Sequence, residues 1–334
     1  MANENLNVKD LEGIAASDSE RIADEIAIED TEQVAEAEAV RAEAEAAEDA
    51  AASARAREAA DDETVEGVTP IIFLDDISVT FKTRTGSLFN PNRVKAVQHL
   101  SLKLNPGETI GIVGESGCGK STTANVMCGL QQPTEGRVFF KGEDVTKRSA
   151  AQRKLIGRVI SVVFQDPATA LNARMSIREQ LLDPMNVHAV GSSADREKRV
   201  HELIGMVGLP ESVLDALPGQ LSGGQRQRVA IARALSLSPD AIIADEPTSA
   251  LDVSVRAQIL NLLMDLKHEL GLSMVFISHD IQTVRYISDR IVVMNKGTAV
   301  ERGRAKDVFE NPQDDYTKLL LGAAPSLLHP DLGK

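Results

Sequence analysis

Cysteine and tyrosine each occur only twice among these 334 residues, and tryptophan not at all. Cys118 and Cys128 stand without a metal-ligand spacing around them, which argues against a disulfide framework or a cysteine metal site and leads us to expect two reduced thiols. No apolar run approaches the ~20 residues needed to cross a bilayer, and no basic segment with an apolar stretch behind it opens the chain. A cytoplasmic location is expected, with any membrane contact made through a partner. No internal repeat is visible.

Residues 1–66 lack aromatic residues altogether and carry 21 acidic against 5 basic residues, a balance of -16. The remaining 29 acidic and 31 basic residues nearly cancel, so the net charge of -14 describes the extension and not the rest of the chain. Isolated apolar residues such as Ile14, Ile22, Ile26, Val34 and Val40 cannot bury a core. The Ala/Glu-rich run 35–46 does have high helix propensity. Residues 1–66 are therefore expected to be a disordered or solvated-helical acidic extension, read as a spacer in preference to a docking element.

From Ile71 onward, short β-rich runs alternate with amphipathic segments. Strands are expected over 71–81, 94–104, 109–113, 137–141 and 159–164. Between Asn172 and Leu221 the β-branched runs vanish, and 176–188 and 195–207 follow helical spacing, so 167–235 is expected to be a helical insert. Strand character returns at 241–244, 272–277, 290–295 and 298–302, with a helical end at 305–321. A long helix is expected over 253–270, its apolar stripe formed by Val255, Ile259, Leu262, Leu263, Leu266 and Leu270.

The chemistry concentrates in a few motifs. Gly114-Glu115-Ser116-Gly117-Cys118-Gly119-Lys120-Ser121, followed by Thr122, fits a glycine-rich phosphate loop between a strand and a helix. Its glycines let backbone amides turn toward phosphate oxygens at the positive end of the helix. Lys120 is placed to reach the β- and γ-phosphates of ATP, and Ser121 to offer a hydroxyl to Mg²⁺. The strand 241–244 ends in Asp245 and Glu246, read as a Mg²⁺ carboxylate and a general base that orients the attacking water. Gln165 falls where the core meets the insert, in reach of the metal and water shell, and His279 follows a strand end, in reach of the γ-phosphate.

A second anion-binding turn, Leu221-Ser222-Gly223-Gly224-Gln225, precedes a helical run over 226–235. Because the phosphate loop already cradles its own nucleotide, this turn implies a nucleotide supplied in trans, with two subunits sandwiching two ATP molecules head to tail.

The ordered set of phosphate loop, Gln165, Ser222 to Gln225, Asp245-Glu246, Ser249-Ala-Leu-Asp252 and His279 resembles the ATP-binding-cassette nucleotide-binding domain over 70–303. The resemblance implies an α/β fold, a phosphate-loop NTPase core with an antiparallel β subdomain and an inserted helical subdomain. It also implies that Gln165 is the Q-loop, Asp252 a dimer-seam residue, His279 the switch histidine and Phe81 the aromatic that stacks on adenine. Finer markers resemble the ATPase subunits of bacterial oligopeptide and dipeptide importers: Val163-Phe-Gln-Asp-Pro167, Ala250-Leu-Asp-Val-Ser254, and Phe309-Glu-Asn-Pro with Tyr316-Thr-Lys-Leu-Leu and Ala324-Pro325 in a C-terminal extension over 304–334. The insertion 86–93 resembles the second of two paired ATPases. The partners so implied are a sister ATPase in a heterodimer, two integral membrane permease subunits and an extracytoplasmic solute-binding protein, with no nucleic acid.

The sequence departs from that branch at Ala216-Leu-Pro-Gly-Gln220, Asn172-Ala-Arg174 and Asp314-Asp-Tyr-Thr317, and a C-terminal iron–sulfur cysteine cluster is absent. An exporter ATPase, or an importer of glutathione, oligosaccharides or nickel, stands as an alternative. So does a soluble cassette ATPase of ribosomes or DNA, although this chain has neither the second cassette nor the coiled coils of that class.

Overall fold

The computed structural model describes residues 51, 52, 54, 67–82, 93–147 and 149–323. The chain divides into two units, 1–55 and 56–334, and everything below concerns the second. The expected acidic extension, most of the insertion 86–93 and Ala324-Pro325 lie outside the described residues.

Strands β1 (Ile72–Lys82) and β2 (Arg93–Leu104) pair antiparallel, and β4 (Glu135–Phe140) and β5 (Glu143–Asp144) extend them into a four-stranded sheet of order β2-β1-β4-β5. The pairing of β1 with β2 slips between Leu74 and Thr80. There Asp76 and His99 take positive φ and bond to each other through Nδ1 and Oδ1 at 3.0 Å. The β4–β5 hairpin turns on Lys141-Gly142, both at positive φ as a tight two-residue connection demands.

Strand β3 (Thr109–Val113) enters helix α1 (Lys120–Met127), and helix α2 (Ala150–Val159) leads into β6 (Ile160–Val163). The helical insert follows: α3 (Pro167–Ala170), α4 (Ile177–Val187), α5 (Ser193–Met206) and α6 (Gly223–Ala234). Serines 149, 176, 192 and 222 open α2, α4, α5 and α6, each in a reciprocal capping box with the residue three positions on. The chain returns as β7 (Ala241–Asp245), α7 (Val253–Leu270), β8 (Ser273–Ser278), α8 (Ile281–Ile287), β9 (Arg290–Asn295) and β10 (Thr298–Arg304).

The second sheet runs β10-β9-β3-β8-β7-β6, parallel except at β10. Its central strands β3 and β8 are buried throughout, as continuous apolar runs between two covered faces must be. Strand β7 divides its side chains between two cores. Ile242 and Ala244 join the core shared with the helical insert, while Ala241 and Ile243 join the one shared with the antiparallel sheet. The fold is thus mixed α/β, with an antiparallel sheet and a mainly parallel one, as expected.

Two expectations need correction. Leu270 does not complete the stripe of α7; it is 43% exposed where the helix ends at a left-handed Gly271, and Leu260 is buried instead. The single C-terminal helical stretch is two helices, α9 (Ala305–Glu310) and α10 (Asp315–Ala323), separated at Asn311-Pro312 because a proline cannot continue the hydrogen-bonded ladder.

Candidate functional site

The phosphate loop leaves the buried end of β3 and enters α1 at Lys120. Gly119 caps the helix with φ 107°, and a Cβ there would sit 2.4 Å from the Ala96 carbonyl oxygen, so only glycine fits. No side chain caps α1, which leaves its first-turn amides to an anion. An open cleft of about 520 Å³ lies against this turn, walled by Ala96, Ser116, Gly117, Gly119, Lys120, Ser121 and Thr122 and, across from them, by Gln165, Glu246 and His279. Gly114, Glu115 and Cys118 do not line it.

Lys120 is 5% exposed, and its ammonium donates to the carbonyls of Gly114 at 2.7 Å and Glu115 at 2.8 Å. Beside it burial pushes the Cys118 thiol up, against the pull of the Lys120 charge. Cys128, at the end of α1, is pushed up to about 12 by burial and by the nearby Asp245 carboxylate.

Asp245 ends β7 with Oδ1 buried and without a hydrogen-bond partner. Burial raises its pKa, and the neighbouring Glu246 raises it further, while the Ser121 side chain beside its carboxyl works against the rise. Glu246 takes a left-handed φ of 47°, a strained conformation for a side-chain-bearing residue, and its N–H is held by the Ile277 carbonyl at 2.9 Å. This turn carries Glu246 out of the sheet. Gln165 Nε2 donates to its Oε2 at 3.1 Å, and His279 Nδ1 lies 3.2 Å from the same oxygen. Gln165, Glu246 and His279, from three separate loops, thus meet at the cleft.

The remaining predicted residues stand apart from it. Ser222 accepts from Gln225 N–H at 3.3 Å and donates its own N–H to Gln225 Oε1 at 2.9 Å, so the Gln225 side chain is spent on the cap. A Cβ on Gly224 would fall 2.7 Å from Val255 Cγ1, which makes the glycine a packing requirement of α6 against α7. Asp252 opens α7 without making a side-chain cap bond and is exposed beside Val253, itself 81% exposed. Phe81 is 41% exposed opposite Val94 and does not line the cleft. Sequence reasoning gave no role to Tyr316, whose hydroxyl reaches the backbone of Glu115; its only signal was its place in a C-terminal motif.

A phosphate loop beside an Asp-Glu strand end, between an antiparallel sheet and a helical insert, defines an ATP-binding-cassette ATPase domain. The sequence pattern of the family described as ABC transporter matches residues 97–249. The chain is 43% identical to the dipeptide transport ATP-binding protein DppF of Haemophilus influenzae, over 78% of this chain and 79% of that one. It is 46% identical to the oligopeptide transport ATP-binding protein AppF of Bacillus subtilis, over 80% of each. Among solved structures, the dimeric post-hydrolysis state of the ATP-binding cassette MJ0796 bound to ADP and Pi matches with a TM-score of 0.63 at 33% identity, covering 70% of this chain and 98% of that one. The chain belongs to the ABC transporter family, as an ATP-binding, ATP-hydrolysing member. Among the described residues no helix is long and apolar enough to cross a membrane.

Proposed function

We propose that this chain is the ATPase subunit of an importer of oligopeptides or dipeptides, held at the cytoplasmic face of the membrane. Its partners in this reading are a sister ATPase, two permease subunits and an extracytoplasmic solute-binding protein. The observation that carries the hydrolytic part is the convergence of Gln165 and His279 on Glu246, across the cleft from Lys120 and Ser121. The cargo rests on likeness to relatives named for dipeptide and oligopeptide transport.

In this reading the amides of Gly117, Gly119 and Lys120 cradle the phosphates, and the Lys120 ammonium, held by the Gly114 and Glu115 carbonyls, gives its third N–H to a phosphate oxygen. Glu246 orients and deprotonates the attacking water, with Gln165 and His279 setting its direction. Phe81 stacks on the adenine. The buried, unpartnered Oδ1 of Asp245 beside the Ser121 hydroxyl fits a divalent cation, with Gln165 as a third oxygen donor. Mg²⁺ there would neutralise developing phosphate charge and take its remaining oxygens from phosphate and water. Exposed Ser222 and Asp252 with half-buried Gly223 and Gly224 meet the nucleotide of the sister subunit, so ATP binding closes the pair and hydrolysis reopens it.

The test is purification of tagged Glu246→Gln protein from gently solubilised membranes in Mg-ATP, followed by mass spectrometry. Two permeases, a second ATPase and a solute-binding protein are expected. Ribosomal or DNA-repair proteins without permeases would overturn the transport reading.

A further inference from the structure

The C-terminal extension reaches the phosphate loop at one peptide unit. The Gly114 carbonyl accepts from the Lys120 ammonium at 2.7 Å, and the N–H of the same peptide, that of Glu115, donates to the Tyr316 hydroxyl at 3.0 Å. The carbonyl and N–H of a trans peptide point in opposite directions, so this unit is gripped from both sides. Rotating it breaks both bonds. The two also reinforce each other, because a cation on the carbonyl makes the N–H a stronger donor.

Tyr316 is itself held by a chain of backbone contacts. The Glu301 carboxylate on β10 accepts from the N–H of Gln313 at 2.8 Å and of Asp314 at 3.0 Å. The Asp314 carboxylate in turn caps α10, accepting from the N–H of Tyr316 at 2.8 Å and of Thr317 at 3.4 Å. Thr317 is fully buried, and Tyr316 is partly buried against the apolar core to which Ile291, Val293 and Val308 belong. The hydroxyl therefore arrives from a fixed scaffold and not from a loose tail.

We propose that Tyr316 is a positioning residue of the nucleotide site: by fixing the Gly114–Glu115 peptide it preorganises the phosphate loop and Lys120, which makes the C-terminal extension part of the ATP-binding apparatus. This inference rests on the reading of the loop as the ATP cradle. It requires that the contact lower the cost of ordering the loop around phosphate.

The test uses the full chain. In Tyr316→Phe the ring stays and only the acceptor goes, so Kd for ATP is expected to rise roughly three- to tenfold. Amide exchange at Glu115 should accelerate while the melting temperature is unchanged. Asp314→Ala should raise Kd in the same direction and add nothing in the Tyr316→Phe background, since both act on one contact. Lys120→Ala serves as the reference for the loop itself. A wild-type Kd in Tyr316→Phe, with ATP binding lost in Lys120→Ala, overturns the inference. ATP binding that Lys120→Ala leaves intact overturns the reading of the loop, and the inference with it.

Discussion

The chain contains two glycine-rich helix starts of similar appearance that are built in opposite ways. At α1 the cap is Gly119 in a left-handed conformation with no side-chain bond, and the adjoining lysine is held by carbonyls. At α6 the cap is Ser222 in ordinary extended backbone, with its box to Gln225 closed. The first start leaves its amides to a ligand at the expense of local stability. The second is stable on its own and leaves only the Gly223 and Gly224 amides for contact. In the proposed reading, the start that envelops phosphate is left uncapped, whereas the one that only touches it also caps its own helix.

The largest test of that contrast lies next to α1. Glu246→Gln should retain ATP while turnover in the assembled complex falls about 10²- to 10⁴-fold, measured by phosphate release; wild-type hydrolysis would remove Glu246 from the chemistry. Next comes Gly119→Ala, which forces a side chain into a positive-φ position against the Ala96 carbonyl. It should weaken ATP binding by the single chain at least about tenfold, as seen by calorimetry. Ser222→Ala should do the reverse, with ATP binding by the single chain unchanged and about 1 kcal/mol lost in denaturant unfolding. A large loss of single-chain ATP affinity in that variant would erase the distinction.

The smallest expected effect concerns Asp245. Its folded-state pKa is raised by burial, so the folded chain holds a proton there more readily than the unfolded one, and the ionised carboxylate weakens the fold at neutral pH. That penalty fades as the pH falls through the raised pKa. Asp245→Asn should therefore melt a few degrees higher at pH 7, with the gain shrinking in acid. A lower melting temperature at pH 7 would mean that the carboxylate stabilises the fold.

Much of this was legible because local signals and tertiary demands agree. Strands β3 and β9 and helix α7 begin and end where the apolar periodicity places them. Helix α2 was missed, although Ser149 and Gln152 form the very capping box its sequence announces, because its apolar pattern is weak: only Ile156 and Val159 are buried. Helix α8 was missed because its seven residues are too few to show a period, and only Asp280 at its cap marks it. At the site, the motifs pointed to Glu246, Gln165 and His279 singly, but no local rule places a glutamine amide and an imidazole on one carboxylate oxygen. The bond between Tyr316 and Glu115 spans 201 residues of sequence and was beyond any periodicity.

Strand β7 ends in the two carboxylates, and its alternating side chains are seated in different halves of the domain. It is the shaft on which both halves are mounted. A roll of the helical half against the antiparallel half would turn that shaft, and the angle of Asp245 and Glu246 at its tip with it, so the pose of the two halves and the aim of the two carboxylates are one mechanical variable.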